Sequence, residues 1–136
     1  MAINFIPNDP RAGATAPAIR VKAKRPTRPA TGSGFIYSKT SPESVSAPGT
    51  PAFLFWQARE AGIAAVMAWE ASAGLHKAWQ GNRKRLRLLQ DAGQDLNAFY
   101  DRDSFSFFHQ TVAGITFFSG ASTDVVAHEV GHGLLD

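Results

Sequence analysis

Proline is confined to one part of this chain, since all eight prolines lie within the first 51 of the 136 residues. Proline lacks a backbone N–H and fixes φ, so a segment rich in it cannot sustain long helices or central strands. We therefore expect residues 1–51 to form a flexible or disordered leader and residues 52–136 to form the folded domain. A chain of this length holds one hydrophobic core at most.

Charge follows the same division. Residues 1–50 hold seven Lys or Arg against two acids, whereas residues 51–136 hold seven against nine. The basic cluster Arg20-Val21-Lys22-Ala23-Lys24-Arg25-Pro26-Thr27-Arg28 has the charge to contact nucleic acid or an anionic membrane surface. No aromatic side chains alternate with these charges to stack on bases, so the pattern favours a solvated basic tail, and a nucleic-acid partner is not expected.

The folded part combines helical and strand patterns. Residues 52–80 are rich in alanine and large apolar side chains, which predicts one long helix, or two broken near Gly74, with Pro51 in the first turn. Alternating side chains predict strands at 83–89, 104–109 and 112–118. The order predicts an α+β domain in which helices pack against a small mixed sheet with an exposed edge strand.

Composition excludes several classes of protein. Cysteine is absent, so disulfide scaffolds and thiolate metal sites are excluded, and histidine and carboxylates must supply any metal ligands. No apolar run approaches the ~18 residues that cross a bilayer, so no membrane span is expected. The amino terminus lacks the basic and apolar regions of a secretory signal, which makes the cytoplasm the default expectation for location.

Candidate chemistry is concentrated in the last residues, where His128, Glu129 and His132 form the pattern H-E-x-x-H. On a helix, residues four apart share a face, so both imidazoles can hold one zinc ion at ~2.0–2.1 Å. Glu129 projects beside that position and can move protons as a general acid and base, while zinc lowers the pKa of bound water to roughly 7. Ser119-Gly120-Ala121-Ser122-Thr123 offers hydroxyl caps for the helix. The alternative is an amphipathic helix whose histidines bond carbonyls.

Three matches to one family follow in sequence order: Asn97-Ala98-Phe99-Tyr100, Ser119-Gly120, and Asp124 through Asp136. This tract resembles the active-site half of thermolysin-type zinc metallopeptidases, the gluzincins. In that family an Asn-Ala-Phe-aromatic segment opens the substrate-binding edge strand, and a second strand leads through Ser-Gly into the H-E-x-x-H helix. The resemblance implies that residues 52–136 are part of a zincin-like metallopeptidase domain.

The resemblance also implies roles for individual residues. His128 and His132 would bind Zn²⁺, Glu129 would be the general acid and base, and Asn97 and the Ala98 backbone would hold the peptide main chain. An exposed strand edge suits an extended peptide. Asn97 could instead be a turn residue that satisfies its own side chain.

Two aspartates flank the metal-binding pattern. Asp124 has two interpretations, a charge that complements the helix dipole, which is favoured, or an outer hydrogen-bonding partner of the zinc ligands. Asp136 lies eight residues after His128, ~12 Å along a continuous helix, which is too far to ligate the same ion. It is therefore expected to hydrogen-bond near the substrate strand or to pack.

The pattern departs from the family in one respect. The family's third zinc ligand is a glutamate on a following helix, and this sequence ends at Asp136. We therefore expect a truncated catalytic domain whose activity in isolation is doubtful.

Two functions remain open. One is zinc-dependent hydrolysis of a peptide or protein substrate, as in a metalloendopeptidase. The other is a non-catalytic metal-binding or interaction module with a basic recruiting tail. The other two histidines, His76 and His109, are expected at the surface or at a helix cap.

Overall fold

A computed structural model describes residues 2–5, 22–28, 32–95 and 97–136. Within them the chain has a mixed α+β architecture with two α-helices and small sheets, as the sequence predicts. The strands are β1 (Ile3–Phe5), β2 (Lys22–Lys24), β3 (Gly34–Tyr37), β4 (Arg85–Leu89), β5 (Ala98–Tyr100), β6 (Ser104–Phe107), β7 (His109–Val112) and β8 (Ile115–Phe118). The helices are α1 (Pro51–Ala73), α2 (Thr123–Leu135) and a 3-10 turn at Ser119–Ala121.

The central sheet has four strands in the order β3-β4-β6-β5. β3, β4 and β6 are parallel, and β5 runs antiparallel to β6 at the edge of the sheet. β1 and β2 form one antiparallel pair, and β7 and β8 form another. Parallel neighbours require a crossover connection, and α1 provides it between β3 and β4. The mixed sheet with an edge strand matches the expectation from the sequence.

Helix α1 begins and ends at local signals. The Thr50 hydroxyl accepts the backbone N–H of Phe53 at 3.3 Å, and Pro51 occupies the first turn as expected. At the other end, Gly74 has a φ of 84°, which favours glycine and stops the helix. Helix α1 therefore ends at the break that the sequence predicts near Gly74, and residues 74–80 do not continue as a helix. Within the described residues, neither helix has both the length and the apolar character needed to cross a membrane.

The core lies between the central sheet and the two helices. On β4, Leu86 and Leu88 are buried while Arg85 and Arg87 are exposed, which confirms the half-exposed strand. Trp79 and Phe105 meet at 5.2 Å between ring centroids in the middle of the core. The helices contribute small or branched side chains, namely Ala58, Ala61, Val66, Val126 and Val130. Through these contacts α2 packs against the sheet.

The expectation of a disordered leader over 1–51 is wrong for part of that segment. Gly34–Tyr37 form β3, an edge strand of the central sheet, and Phe35 packs against Phe105 at 5.7 Å. Ile3 is fully buried beside Phe55 and Trp56. Residues 6–21 and 29–31 of the predicted leader lie outside the described residues. The physical reason for the error is that these strands are stabilised by distant parts of the chain.

The predicted strand over 112–118 is confirmed over Ile115–Phe118, where it forms the second strand of a hairpin. β7 and β8 are joined at Ala113 and Gly114, whose φ values are 52° and 79°. Two consecutive residues with positive φ form the tight turn that matches the twist of paired strands. The predicted start at residue 112 is wrong, because Ala113 is not a typical residue for such a turn and gave no sign of it in the sequence.

Candidate metal centre

Helix α2 separates an apolar face from a polar one. Its N-terminus is capped by Ser122, whose hydroxyl accepts the backbone N–H of Val125 at 3.1 Å. The buried residues are Val126, Val130, Gly133 and Leu134, at helical spacing. Because this face is buried, positions 128, 129 and 132, which lie between its residues in sequence, are directed toward the exterior.

His128, Glu129 and His132 form one group on that outer face, a candidate site for an ion that we call the metal-binding group. Each offers a ligand atom, and these atoms lie within 4.8 Å of one another. The two imidazole rings are 4.7 Å apart at their centroids and nearly perpendicular, and Glu129 Oε1 is 3.4 Å from His128 Nδ1. The His128 side chain is 69% exposed, whereas that of Glu129 is 12% exposed. The histidines are therefore accessible to an ion, and the carboxylate lies deeper beside them.

The donors in this group fit zinc. Imidazole nitrogen and carboxylate oxygen are among the preferred ligands of Zn²⁺, and two ligands of one ion lie at most ~4.2 Å apart. Small side-chain rotations therefore bring these atoms to ligand spacing. Among the described residues the group comprises these three side chains.

The metal-binding group lies beside a cleft between β5 and α2. An open groove of about 670 Å³ is lined on the strand side by residues 99–102 and on the helix side by Glu129, His132, Leu135 and Asp136. A second hollow of about 470 Å³ is lined by Asn97, Ala98, Ser119, Asp124, Val125, His128 and Glu129. Glu129 borders both hollows.

The register of β5 determines which backbone groups face outward from the sheet. The Asp101 N–H donates to the Ser104 carbonyl at 3.3 Å, which makes these two residues a hydrogen-bonded pair. Such pairs alternate along an antiparallel ladder, so Phe99 is bonded to Ser106 while Ala98 and Tyr100 direct their backbone groups to the open edge. The edge strand thus has unpaired ladder positions beside the metal-binding group.

Asn97 satisfies its own side chain at this edge. Its Oδ1 accepts the Ala98 N–H at 2.8 Å, and its carbonyl accepts the Ser119 hydroxyl at 2.9 Å. Asn97 and Ala98 line the smaller hollow, beside His128 and Glu129. The Ala98 N–H, one of the backbone donors that face the open edge, is therefore bonded to the side-chain oxygen of Asn97.

Asp136 joins the end of α2 to the edge strand. Its carboxylate accepts the Tyr100 hydroxyl at 2.8 Å and the Arg102 Nε at 2.9 Å. The hydrogen bond from Tyr100 lowers the pKa of Asp136, and burial raises the pKa of Tyr100 to about 12. Helix α2 is continuous to Leu135, so Asp136 hydrogen-bonds beside the strand and is not part of the metal-binding group.

Sequence reasoning missed Tyr100 and Arg102 as residues of the cleft. The charged turn after the edge strand was visible in the sequence, but its contact with the helix end was not. Asp124 lies in the first turn of α2, where a carboxylate complements the helix dipole, and it also borders the smaller hollow.

The two remaining histidines are bonded elsewhere. His109 Nδ1 lies 2.7 Å from Asp91 Oδ1, with its side chain one-third exposed. His76 Nδ1 contacts the Ser33 hydroxyl, and burial lowers the pKa of this imidazole. Neither histidine belongs to the metal-binding group.

No protein-family model, curated protein or solved structure matches this chain.

Proposed function

We propose that this chain carries the zinc-binding part of a peptidase, in which peptide bonds are hydrolysed in the cleft between β5 and α2. The observation that carries the proposal is the grouping of His128, Glu129 and His132 beside an edge strand whose Ala98 and Tyr100 backbone groups face away from the sheet. The sequence resemblance to thermolysin-type enzymes supports it. Residues 97–136 would then form the corresponding portion of a zincin-like lobe.

The metal would be held by His128 and His132. A bound zinc ion supplies Lewis-acid polarisation of a carbonyl and acidifies water at the site. Glu129 takes a proton from the attacking water and delivers one to the amine that leaves as the C–N bond breaks. Its 12% exposure and its position beside both hollows suit a group that must reach both water and leaving amine.

The substrate would be an extended peptide lying along β5. The outward carbonyl of Ala98 and the outward N–H and carbonyl of Tyr100 can pair with its backbone. The Asn97 side chain already bonds the Ala98 N–H, so a substrate carbonyl must displace it or bind elsewhere. These hydrogen bonds recognise the main chain of the substrate. Any preference for particular substrate side chains would come from the rest of the cleft.

The composition of the metal-binding group also supports a second function, which is metal binding without catalysis. Among the described residues the group has two imidazoles and one carboxylate. If Glu129 completes the ligand set, no base remains in the group and the chain is a metal-binding module. The basic segment near the amino terminus would then recruit a partner.

The Glu129→Gln variant separates the two functions, because glutamine removes the base with little change of shape. We expect zinc content to be unchanged and hydrolysis of a quenched-fluorescence peptide library to fall by about 10²–10⁴-fold. Zinc is measured by mass spectrometry on dialysed protein.

The matched control is His109→Asn, which alters a histidine outside the metal-binding group and should retain both zinc and hydrolysis. Loss of zinc in Glu129→Gln would assign the carboxylate as a ligand and favour the binding module. Hydrolysis retained by Glu129→Gln would contradict the peptidase proposal.

A further inference from the structure

A cavity of about 390 Å³ lies at the edge of the central sheet opposite to β5. It is bordered by α1, by β3 and by the residues that lead into β4. We call it the β3 cavity. Its volume falls within the range of sites that bind small molecules. The residues that line it differ from those of both hollows beside the metal-binding group.

One part of the β3 cavity is apolar. Phe35 contributes from β3, and Ile63 and Val66 contribute from α1. Ile63 and Val66 are 6% and 2% exposed, so an apolar group placed against them would be removed from water. This wall provides the hydrophobic contact that small-molecule sites typically share.

The charged residues of the cavity are all basic. Arg59, Lys84 and Arg85 line it, and neither aspartate nor glutamate is among its described lining residues. Arg59 is engaged by Glu60 at 3.1 Å and by the Thr27 carbonyl. Lys84 and Arg85 form no ion pair with any residue in the described part of the chain. Two cations therefore remain available to an anion.

The Tyr37 side chain adds a neutral polar group. Tyr37 lines the cavity, and its hydroxyl has no hydrogen-bond partner among the residues that the structure describes. Burial raises its pKa to about 12, so the hydroxyl is protonated at neutral pH and can donate. A ligand oxygen in the cavity can accept a hydrogen bond from this hydroxyl.

We propose that the β3 cavity binds a small amphipathic anion, that is, an organic carboxylate or phosphate monoester with an apolar body. The apolar body lies against Phe35, Ile63 and Val66, and the anion is held by Lys84 and Arg85. This binding does not depend on the metal centre, because the cavity lies at the other edge of the sheet.

Calorimetric titration tests the proposal with four probes: 2-naphthoate, 2-naphthyl phosphate, neutral 2-naphthamide and inorganic phosphate. We expect one or both naphthyl anions to bind at sub-millimolar concentration and the amide and inorganic phosphate to bind at least tenfold more weakly. The comparison of the two anions shows whether carboxylate or phosphate is preferred. Titrations are performed on zinc-free protein, so the outcome is independent of the proposed peptidase activity.

The double variant Lys84→Ala/Arg85→Ala should weaken binding of the preferred anion by at least tenfold, because charge-assisted hydrogen bonds are lost. Arg87→Ala is the matched control, since Arg87 is exposed on the same strand and does not line the cavity. Tyr37→Phe should weaken binding by a smaller factor.

Three results would overturn the proposal. One is the absence of binding by both naphthyl anions at 1 mM. Another is equal binding of the anions and the amide. The third is an equal loss of affinity in Arg87→Ala and in the double variant, which would indicate general attraction to a basic surface.

Discussion

Gly131 and Gly133 lie two residues apart in α2 and have opposite surroundings. A Cβ added at Gly133 would lie 2.6 Å from Phe105 Cζ and 3.1 Å from Trp79 Cζ3. Both rings are buried in the core and have little room to move. A Cβ added at Gly131 meets nothing within 4 Å. The close packing of α2 on the sheet therefore depends on one of these two glycines.

We predict that Gly133→Ala lowers the free energy of unfolding by about 1–3 kcal/mol, because the added methyl overpacks the core. Gly131→Ala should raise it by up to ~1 kcal/mol, because alanine favours the helical backbone. Urea unfolding of the two variants provides the measurement, and each is the control for the other. A Gly133→Ala protein as stable as the wild type would show that α2 is not packed as described.

Both tyrosines of this chain have raised pKa values. Burial is the main cause at Tyr37 and at Tyr100, and each pKa rises to about 12. The folded state therefore favours the neutral phenol more than the unfolded state does. This contribution to stability is fully present below pH 10 and is lost as the pH rises through about 12.

We predict that absorbance at 295 nm, followed against pH, shows no tyrosine ionisation with a midpoint near 10 in the folded protein. The same titration in concentrated guanidinium chloride should show both tyrosines ionising near pH 10. A folded-state midpoint near 10 for either residue would contradict the burial described for it. The variants Tyr37→Phe and Tyr100→Phe assign the two signals.

The spacing of His128, Glu129 and His132 could be predicted at this scale because the helical period alone brings them to one face. The partners of Asp136 could not be predicted. Tyr100 and Arg102 are more than thirty residues away in sequence, and their contact depends on where α2 ends relative to β5. Sequence placed Asp136 near the strand without identifying what it binds.

At the scale of elements, β3 shows the limits of local pattern. Its four residues follow a segment rich in proline and glycine, and four residues are too few to show periodicity. The strand forms because β4, about fifty residues later, supplies its hydrogen-bond partners and because Phe35 packs in the core. Long elements such as α1 could be predicted, since their own residues determine where they begin and end.

A buried carboxylate of α1 holds the described segment 22–28. Glu60 is 1% exposed, and its Oε1 accepts the Thr27 N–H at 2.8 Å. Its Oε2 lies 3.1 Å from Lys24 Nζ, and Arg59 contacts Oε1. Part of the predicted solvated tail is thus held against the folded domain.

We predict that Glu60→Ala removes the hydrogen-exchange protection of the Thr27 amide, because that amide loses its acceptor. The variant should also lower the free energy of unfolding by about 1–3 kcal/mol. Both effects are measured by NMR, the first by amide exchange and the second by unfolding monitored in urea.

Lys24→Met is the matched control for Glu60→Ala. It removes one cation but leaves the Glu60 acceptor in place, so the Thr27 amide should remain protected. Equal exchange of this amide in the wild type and in Glu60→Ala would show that segment 22–28 is not held by the carboxylate.

At the scale of the whole molecule, the two candidate sites lie at opposite edges of one sheet. β5 borders the metal-binding group, and β3 borders the β3 cavity with its basic lining residues. The sequence could predict the first because its chemistry is concentrated in a short tract. It could not predict the second, because its walls come from three separate segments that only the folded topology brings together.

We propose that His128 and His132 hold one zinc ion on α2. Zinc per chain, measured by mass spectrometry after dialysis against micromolar zinc, tests this most directly. We predict one zinc per wild-type chain, a large loss in His128→Asn and in His132→Asn, and retention in His109→Asn. Zinc content that is absent from the wild type, or unchanged by both α2 substitutions, would contradict the account.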